Sequence, residues 1–270
     1  MIQYIQIFED ELRDRNYSEN TISSYRSVLS QFLADFDTEP EYISEKEIKI
    51  YLRNSKSQSL LKQRIGALKR FYQYVMKQPL KFKYIDYPRP EERLPEILSQ
   101  AEVKRLFEAC SNLKHLAILY IFYSTGMRKS ELINLKITDI DSEQMIIRIE
   151  QGKGKKDRNV PLSEKTLKIL RKYYRKYKPN YYLFNGQFSN QYSAESIRNF
   201  IKDYAEKAGI RKRVYPHLLR HCNATHLYES GTDLSVIQDL LGHRQIKTTK
   251  RYARMSIKRI SAVVTPDNFI

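Results

Sequence analysis

Along the first eighty positions apolar residues recur every three to four places, the spacing of one face of an α-helix. Ile5, Phe8 and Leu12 form a short stripe. Ser18 stands where an N-cap belongs, and Ile22, Tyr25, Leu29, Phe32 and Phe36 follow it as a second stripe. Ser44 with Glu47 three residues on has the capping-box pattern and opens a short helix through Leu52. A fourth helix, predicted over Ser59 to Lys77, carries Leu61, Ile65, Leu68, Tyr72 and Val75 on its apolar side, with Lys62, Lys69 and Lys77 on other faces. From Pro79 to Pro95 the period disappears and four prolines occur. Proline removes a backbone donor and biases its predecessor to an extended form, so this segment reads as a linker. Ser99 and Glu102 then cap another helix, and "HLAILYIFYST", apolar on nearly every side, should be a buried one. "QMIIRIE" and "RNVPL", joined by "QGKGKKD", read as a strand pair, and helices with a "YKPNYYLFNGQ" loop among them run to the C-terminus. The pattern therefore predicts a mainly α chain. It has a four-helix domain over residues 1–83, a linker over 84–97, and a mostly helical domain with one small antiparallel sheet over 98–270.

Length and composition narrow the class. At 270 residues the chain can build two ordinary cores. No apolar run is long enough to span a membrane, and the N-terminus has no basic-then-apolar leader. Two cysteines, Cys110 and Cys222, make no disulfide framework and suit a reducing, cytoplasmic setting. The net charge of +17 implies an anionic partner, nucleic acid or acidic membrane. The charge is also patterned: residues 1–40 hold three basic and eight acidic side chains, whereas Lys56 to Lys83 holds eight basic and none acidic. That asymmetry suggests a folded unit with one face toward a polyanion. Its candidate contacts are Lys62, Arg64, Lys69 and Arg70.

The chemistry-bearing residues cluster in the second half. Four of the five histidines, His217, His221, His226 and His243, lie within 27 positions. His217 and His221 are one turn apart beside Cys222, but Leu218 stands where a helical zinc hydrolase has its glutamate and Arg220 intervenes, so no metal site is assigned. His221 and His226 read as ordinary hydrogen-bonded residues. His217 and Arg220, at i and i+3 of a helix that Pro216 can start, form a donor pair suited to phosphate. Arg128 follows a Thr-Gly turn, with Glu131 three residues on to hold its guanidinium. An arginine at a helix start opposes the helix dipole, and a bound anion would compensate. "GKGKK" places Lys153 at the tip of a hairpin, with Lys155 and Lys156 beside it, and lacks the spacing of a nucleotide-binding P-loop. Tyr252, one of 21 tyrosines, stands nine residues after His243 in a basic run.

Taken in order, Arg128, Lys153, His217, Arg220, His243 and Tyr252, with "TGMRKSEL", "GKGKKDRNVPL", "PHLLRHCNATHL" and "LLGHRQIKTTKRYA" around them, resemble the active-site set of the tyrosine recombinases, the phage-integrase and Xer family. "YSENTISSYRSVLSQFL" resembles the family's N-terminal SAM-like, DNA-grasping helical domain, and the resemblance covers nearly the whole chain in a compact two-domain form. It implies Tyr252 as a nucleophile forming a 3′-phosphotyrosine on DNA. Arg128, Arg220 and His243 would hold the scissile phosphate, Lys153 would protonate the leaving 5′-oxygen, His217 would assist proton transfer and Glu131 would support the arginines. It also implies duplex DNA carrying a specific site as partner, action at the nucleoid, no metal and no ATP or other cofactor. Four protomers would join in a synapse, and the apolar tail "ISAVVTPDNFI" would dock on a neighbour. A type IB topoisomerase and a non-catalytic DNA-binding protein of the same fold are the competing readings.

Overall fold

The computed structural model describes residues 2–89, 96–150, 157–187, 189–243 and 245–255. The chain divides into two compact units, Met1–Glu92 and Arg93–Ile270. Lys153, Lys155, Lys156 and the tail at 260–270 lie outside the described residues. Among the described residues no helix is long and apolar enough to cross a membrane.

The N-terminal unit contains α1 (Ile2–Asp14), α2 (Glu19–Ala34), α3 (Glu45–Arg53) and α4 (Gln58–Tyr74). Ser18 caps α2 through Thr21 N–H, and Ser44 and Glu47 form the reciprocal box that opens α3. Phe36 lies past the end of α2 and packs against the core from outside it. Helix α4 differs from its expected limits at both ends. Ser57 caps it, and it stops at Tyr74 because Lys77 takes a left-handed conformation (φ 55°) and Gln78 N–H turns back to the Tyr72 carbonyl at 2.8 Å. Lys77 is therefore not on the helix. Phe8, Leu12, Leu29, Phe32, Ile48, Leu68 and Phe71 fill the centre with no exposed surface. The proline-rich stretch begins with a 3-10 turn, Pro79–Phe82, and both Phe82 and Ile85 join this core. Lys81 Nζ fastens the turn by donating to the Ile43 carbonyl at 2.7 Å.

The C-terminal unit contains α5 (Gln100–Glu108), α6 (Leu113–Thr125), α7 (Lys129–Asn134), β1 (Ile140–Asp141), β2 (Ile146–Ile149), β3 (Arg158–Pro161), α8 (Glu164–Tyr177), α9 (Ala194–Lys207), α10 (Pro216–Glu229), α11 (Leu234–Leu241) and α12 (Ile246–Met255). Ile97 and Leu98 pack into this unit, and Ser99 and Glu102 form the capping box of α5. Helix α6 is the central element, with Ala117, Ile118, Leu119, Ile121 and Phe122 wholly buried, and it packs on α8 and α10. The sheet is antiparallel in the order β1-β2-β3, with Ile147 opposite both Ile140 and Val160. Strand β1 has two residues, too few for a period of two to register, and was not expected. Gly126 ends α6 at φ 61°, and a Cβ there would come within 2.5 Å of Asn223 Oδ1, so only glycine fits the turn that delivers Arg128. Pro216 occupies the first turn of α10, where its missing donor is no loss.

Candidate active site

The site is built around the carboxyl end of α11, a short helix that Gly242 terminates in a left-handed turn (φ 62°). A helix end leaves its last carbonyls without intrahelical partners and carries a partial negative charge. Here three arginines from three different elements take three consecutive carbonyls. Arg158 Nε donates to Leu240 at 2.8 Å, Arg220 Nη2 to Leu241 at 2.7 Å, and Arg128 Nη2 to Gly242 at 3.2 Å. Arg220 also donates through Nη1 to the Gly126 carbonyl at 2.6 Å, which closes the glycine turn against α10.

Glu131 supplies the matching anion. Its carboxylate accepts from Arg128 Nη1 at 2.7 Å and from the Arg128 backbone N–H at 2.7 Å. It also accepts a bidentate pair from Arg158 at 3.0 and 2.7 Å. Burial pushes this carboxyl upward, but the Arg158 hydrogen bonds, the Arg128 N–H and the two guanidinium charges outweigh it and hold the pKa at about 2. Arg128 and Arg158 share this one carboxylate and Arg220 bonds carbonyls beside them, so two positive charges remain without a matching side-chain anion among the described residues. Arg220 is 1% exposed, and burial first, then the Arg128 charge, lowers its pKa to about 10. Its buried Nε–H has no acceptor among the described residues. A site with surplus positive charge and an unsatisfied donor is suited to an oxyanion.

His243 follows Gly242 directly. Its Nε2 lies 3.0 Å from Arg220 Nη2, and its Nδ1 lies 3.0 Å from Thr249 Oγ1. Tyr252, on α12, is 1% exposed and packs with Ala224, Ile237 and Leu241. Its ring lies nearly parallel to that of His243, 6.1 Å between centroids, and its hydroxyl is 3.3 Å from His221 Nδ1. His217 stands one turn before His221 on α10, with 4.5 Å between their ring centroids. It is exposed and lines, with Arg128, Lys129, Arg198, Lys202 and Arg213, a basic cleft of about 1090 Å³.

Arg128, Glu131, Arg220, His243 and Tyr252 are thus brought together from positions far apart in the chain, with His217 at the adjoining cleft. His217 and Arg220, although i and i+3, do not share an environment, because Arg220 turns into the core. Three residues at the site had no place in the sequence reading. Arg158 opens a strand, and nothing in its spacing marks it. His221 is indeed a buried hydrogen-bonded histidine, but its Nδ1 meets the Tyr252 hydroxyl. Thr249, three positions before Tyr252 on one helical face, was a detectable neighbour that carried no chemical signal of its own. His226 meets the Tyr123 hydroxyl at 2.8 Å. Among the described residues no group of three His, Cys, Asp or Glu side chains is placed to hold a metal.

The basic face expected on α4 is more engaged than expected. The Arg64 guanidinium lies 4.3 Å from the Tyr51 ring centroid and donates to the Tyr51 carbonyl at 3.2 Å. Arg70 is hydrogen-bonded to Tyr17 and reaches the Tyr87 hydroxyl at 3.4 Å. Lys62 and Lys69 are half-buried.

Comparison with known proteins shows the family. The Phage integrase family pattern matches residues 96–259, and the pattern for the phage integrase N-terminal SAM-like domain matches residues 4–82. A putative integrase/recombinase of Sinorhizobium fredii is 36% identical over 268 residues, covering 97% of this chain and 87% of the relative. Tyrosine recombinase XerD of Oceanobacillus iheyensis is 33% identical over 287 residues, covering 96% of each. A solved lambda integrase tetramer bound to a Holliday junction superposes with a TM-score of 0.77 at 19% identity, covering 93% of this chain and 76% of the other, a likeness of fold.

Proposed function

Because the chain belongs to the phage integrase family of tyrosine recombinases, we propose that it is a site-specific DNA recombinase in which Tyr252 cleaves and rejoins DNA strands. The observation that carries this reading is the convergence of Arg128, Arg158 and Arg220 on the end of one helix, with Glu131 pairing only the first two, next to His243 and a tyrosine. Phosphoryl transfer is catalysed chiefly by positioning and by neutralising charge on the non-bridging oxygens. Arg128 and Arg220 supply that charge, Glu131 and Arg158 keep the guanidiniums from drifting apart, and His243 completes the clamp.

Tyr252 Oη attacks the scissile phosphorus. The P–O5′ bond breaks, a 3′-phosphotyrosine forms, the tyrosine hydroxyl proton passes to His217 as the assisting base, and the departing 5′-oxygen takes its proton from Lys153. A free tyrosine has a pKa near 10, so only about one in a thousand is ionised at neutral pH, and the hydroxyl must lose its proton as it attacks. The 5′-hydroxyl of a second strand then attacks the phosphotyrosine and releases the enzyme. The bond energy is conserved in the covalent intermediate, so religation needs no ATP. Tyr252 is buried in the protein alone, so α12 moves to bring it to the phosphate. The nine-residue interval from His243 carries that motion.

We assign DNA grasping to the N-terminal domain over residues 1–83, with Lys62, Lys69, Arg64 and Arg70 facing the duplex, and catalysis to residues 98–270, with Lys155 and Lys156 as further contacts. Four protomers join two sites, a reading supported by the tetrameric state of a lambda integrase bound to a Holliday junction. Tail residues 260–270 dock on a neighbour, and their deletion should abolish synapsis. Phosphate contacts dominate affinity and make it salt-dependent.

The test is a nicked duplex carrying the recombination site, on which the wild type forms a covalent adduct in a denaturing gel. The Tyr252→Phe protein should bind the duplex and form none. An adduct surviving that change would assign another nucleophile. No adduct from the wild type would favour a non-catalytic DNA-binding protein. Relaxation of a plasmid lacking any such site would favour a type IB topoisomerase.

A further inference from the structure

The two nitrogens of His243 face partners of different character. Arg220 Nη2 is a donor with no acceptor capacity, so at 3.0 Å the His243 Nε2 must present its lone pair. The ring proton of a neutral imidazole is then on Nδ1, and Nδ1 points at Thr249 Oγ1, 3.0 Å away. Thr249 has no exposed surface, and it sits three residues before Tyr252 on the same face of α12. One hydroxyl therefore touches the clamp histidine from the helix that carries the nucleophile.

We propose that Thr249 is a positioning residue for the strand-transfer reaction. Its hydroxyl fixes the ring plane of His243 and keeps the nucleophile helix tied to the phosphate clamp at one point while the Tyr252 end of the helix moves. The role rests on the reading of Tyr252 as nucleophile, but the hydrogen bond that produces it does not. A buried β-branched side chain suits the task. Its χ1 is stiff, so the hydroxyl is held in one direction, while the methyl group fills the core beside it. A hydroxyl both accepts and donates, so the same group can remain a partner of the ring when a phosphate oxygen replaces Arg220 at Nε2. Serine would keep this chemistry with a looser rotamer. Valine would keep the shape and lose it.

The test compares Thr249→Val and Thr249→Ser in the full chain with two readouts. The first is single-turnover cleavage of the nicked duplex at saturating protein. Thr249→Val should slow it roughly 10- to 100-fold, the loss of one hydrogen bond to a group that acts on charge. DNA binding should stay unchanged, and Thr249→Ser should recover most of the rate. The second is the nitrogen NMR spectrum of the His243 ring in free protein, assigned by loss of its signals in His243→Gln. All three proteins should show the proton on Nδ1, where Arg220 puts it, and only Thr249→Val should show that proton shifted upfield for want of its hydrogen bond. A wild-type cleavage rate in Thr249→Val, or a wild-type ring protonated on Nε2, would overturn the proposal. If Thr249→Val does not fold, Thr249→Cys, whose thiol is a weak partner, replaces it with the same expectations. If the wild type forms no adduct, the recombinase reading fails, and the NMR arm still decides the His243–Thr249 bond.

Discussion

Arginine is drawn out of water in both units, by different means. In the N-terminal unit Arg64 lies against the Tyr51 ring and Arg70 is held by Tyr17 and Tyr87. Each guanidinium there has an aromatic or hydroxyl neighbour, and the two are dispersed along α4. In the C-terminal unit Arg128, Arg158 and Arg220 are gathered on one helix end, and one carboxylate serves the first two. Aromatic rings stabilise a cation without changing the local charge balance, and such contacts are worth about 0.5–1 kcal/mol at exposed sites. A cluster of three cations held by carbonyl dipoles and one carboxylate keeps a strong positive potential in a place with little water to screen it. The first arrangement shapes a surface, and the second prepares a site for an anion.

Several measurements would break or sharpen this contrast. The largest effect is expected for Arg220→Lys, since an ammonium cannot fork onto the Gly126 and Leu241 carbonyls while facing a phosphate. Cleavage of a nicked duplex should fall roughly 100- to 1000-fold with DNA binding nearly intact. A rate close to wild type would mean that the cluster is structural only. Next comes Glu131→Gln, which leaves Arg128 and Arg158 without their shared anion and should destabilise the C-terminal unit by roughly 3–5 kcal/mol in urea.

The same carboxylate predicts a pH dependence. Its folded pKa of about 2 lies below the ordinary 4.5, so its stabilising contribution is complete above pH 4.5. That contribution is lost as pH falls from 4.5 through 2, to a total of roughly 3 kcal/mol. The Glu131→Gln protein should lack this component of acid unfolding.

Gly126→Ala should cost roughly 1–3 kcal/mol, from a left-handed alanine and a Cβ pressed on Asn223, and should weaken cleavage by displacing the carbonyl that Arg220 uses. The smallest effects belong to α4. Arg64→Ala should change stability by about 1 kcal/mol or less. Replacing Lys62 and Lys69 together by alanine should lower the slope of log affinity against log salt by about two, with no change in the chemical step at saturating DNA. A slope that does not move would place the duplex on another face of the unit.

How much was legible beforehand differs from element to element. The caps at Ser18, Ser44 and Ser99, the buried character of α6 and the strand pair flanking Lys153 were readable because each is set by neighbours within one or two turns. The end of α4 at Tyr74 was not, since it depends on a left-handed lysine and a turn whose Phe82 is buried in the core. Arg158 shows the same limit at the site. Its sequence neighbours describe a strand, and only the approach of α7 and the end of α11 gives its guanidinium a purpose. His221 was set aside as an ordinary histidine, and its contact with Tyr252 comes from a helix 31 residues away.

The sequence by itself determined the helical pattern, the two-part organisation, the excess of positive charge and the residue types and order from which the family resemblance follows. Periodicity, capping and charge are local or additive properties, so they survive without knowledge of the fold. Tertiary structure alone decided which carbonyl each arginine takes, that Glu131 serves two of them, that the Tyr252 ring is covered, and that Thr249 meets His243. Those facts depend on directions and distances between segments far apart in the chain, and a hydrogen bond is lost within an ångström of misplacement. Residue types along a chain do not encode such directions until packing fixes them.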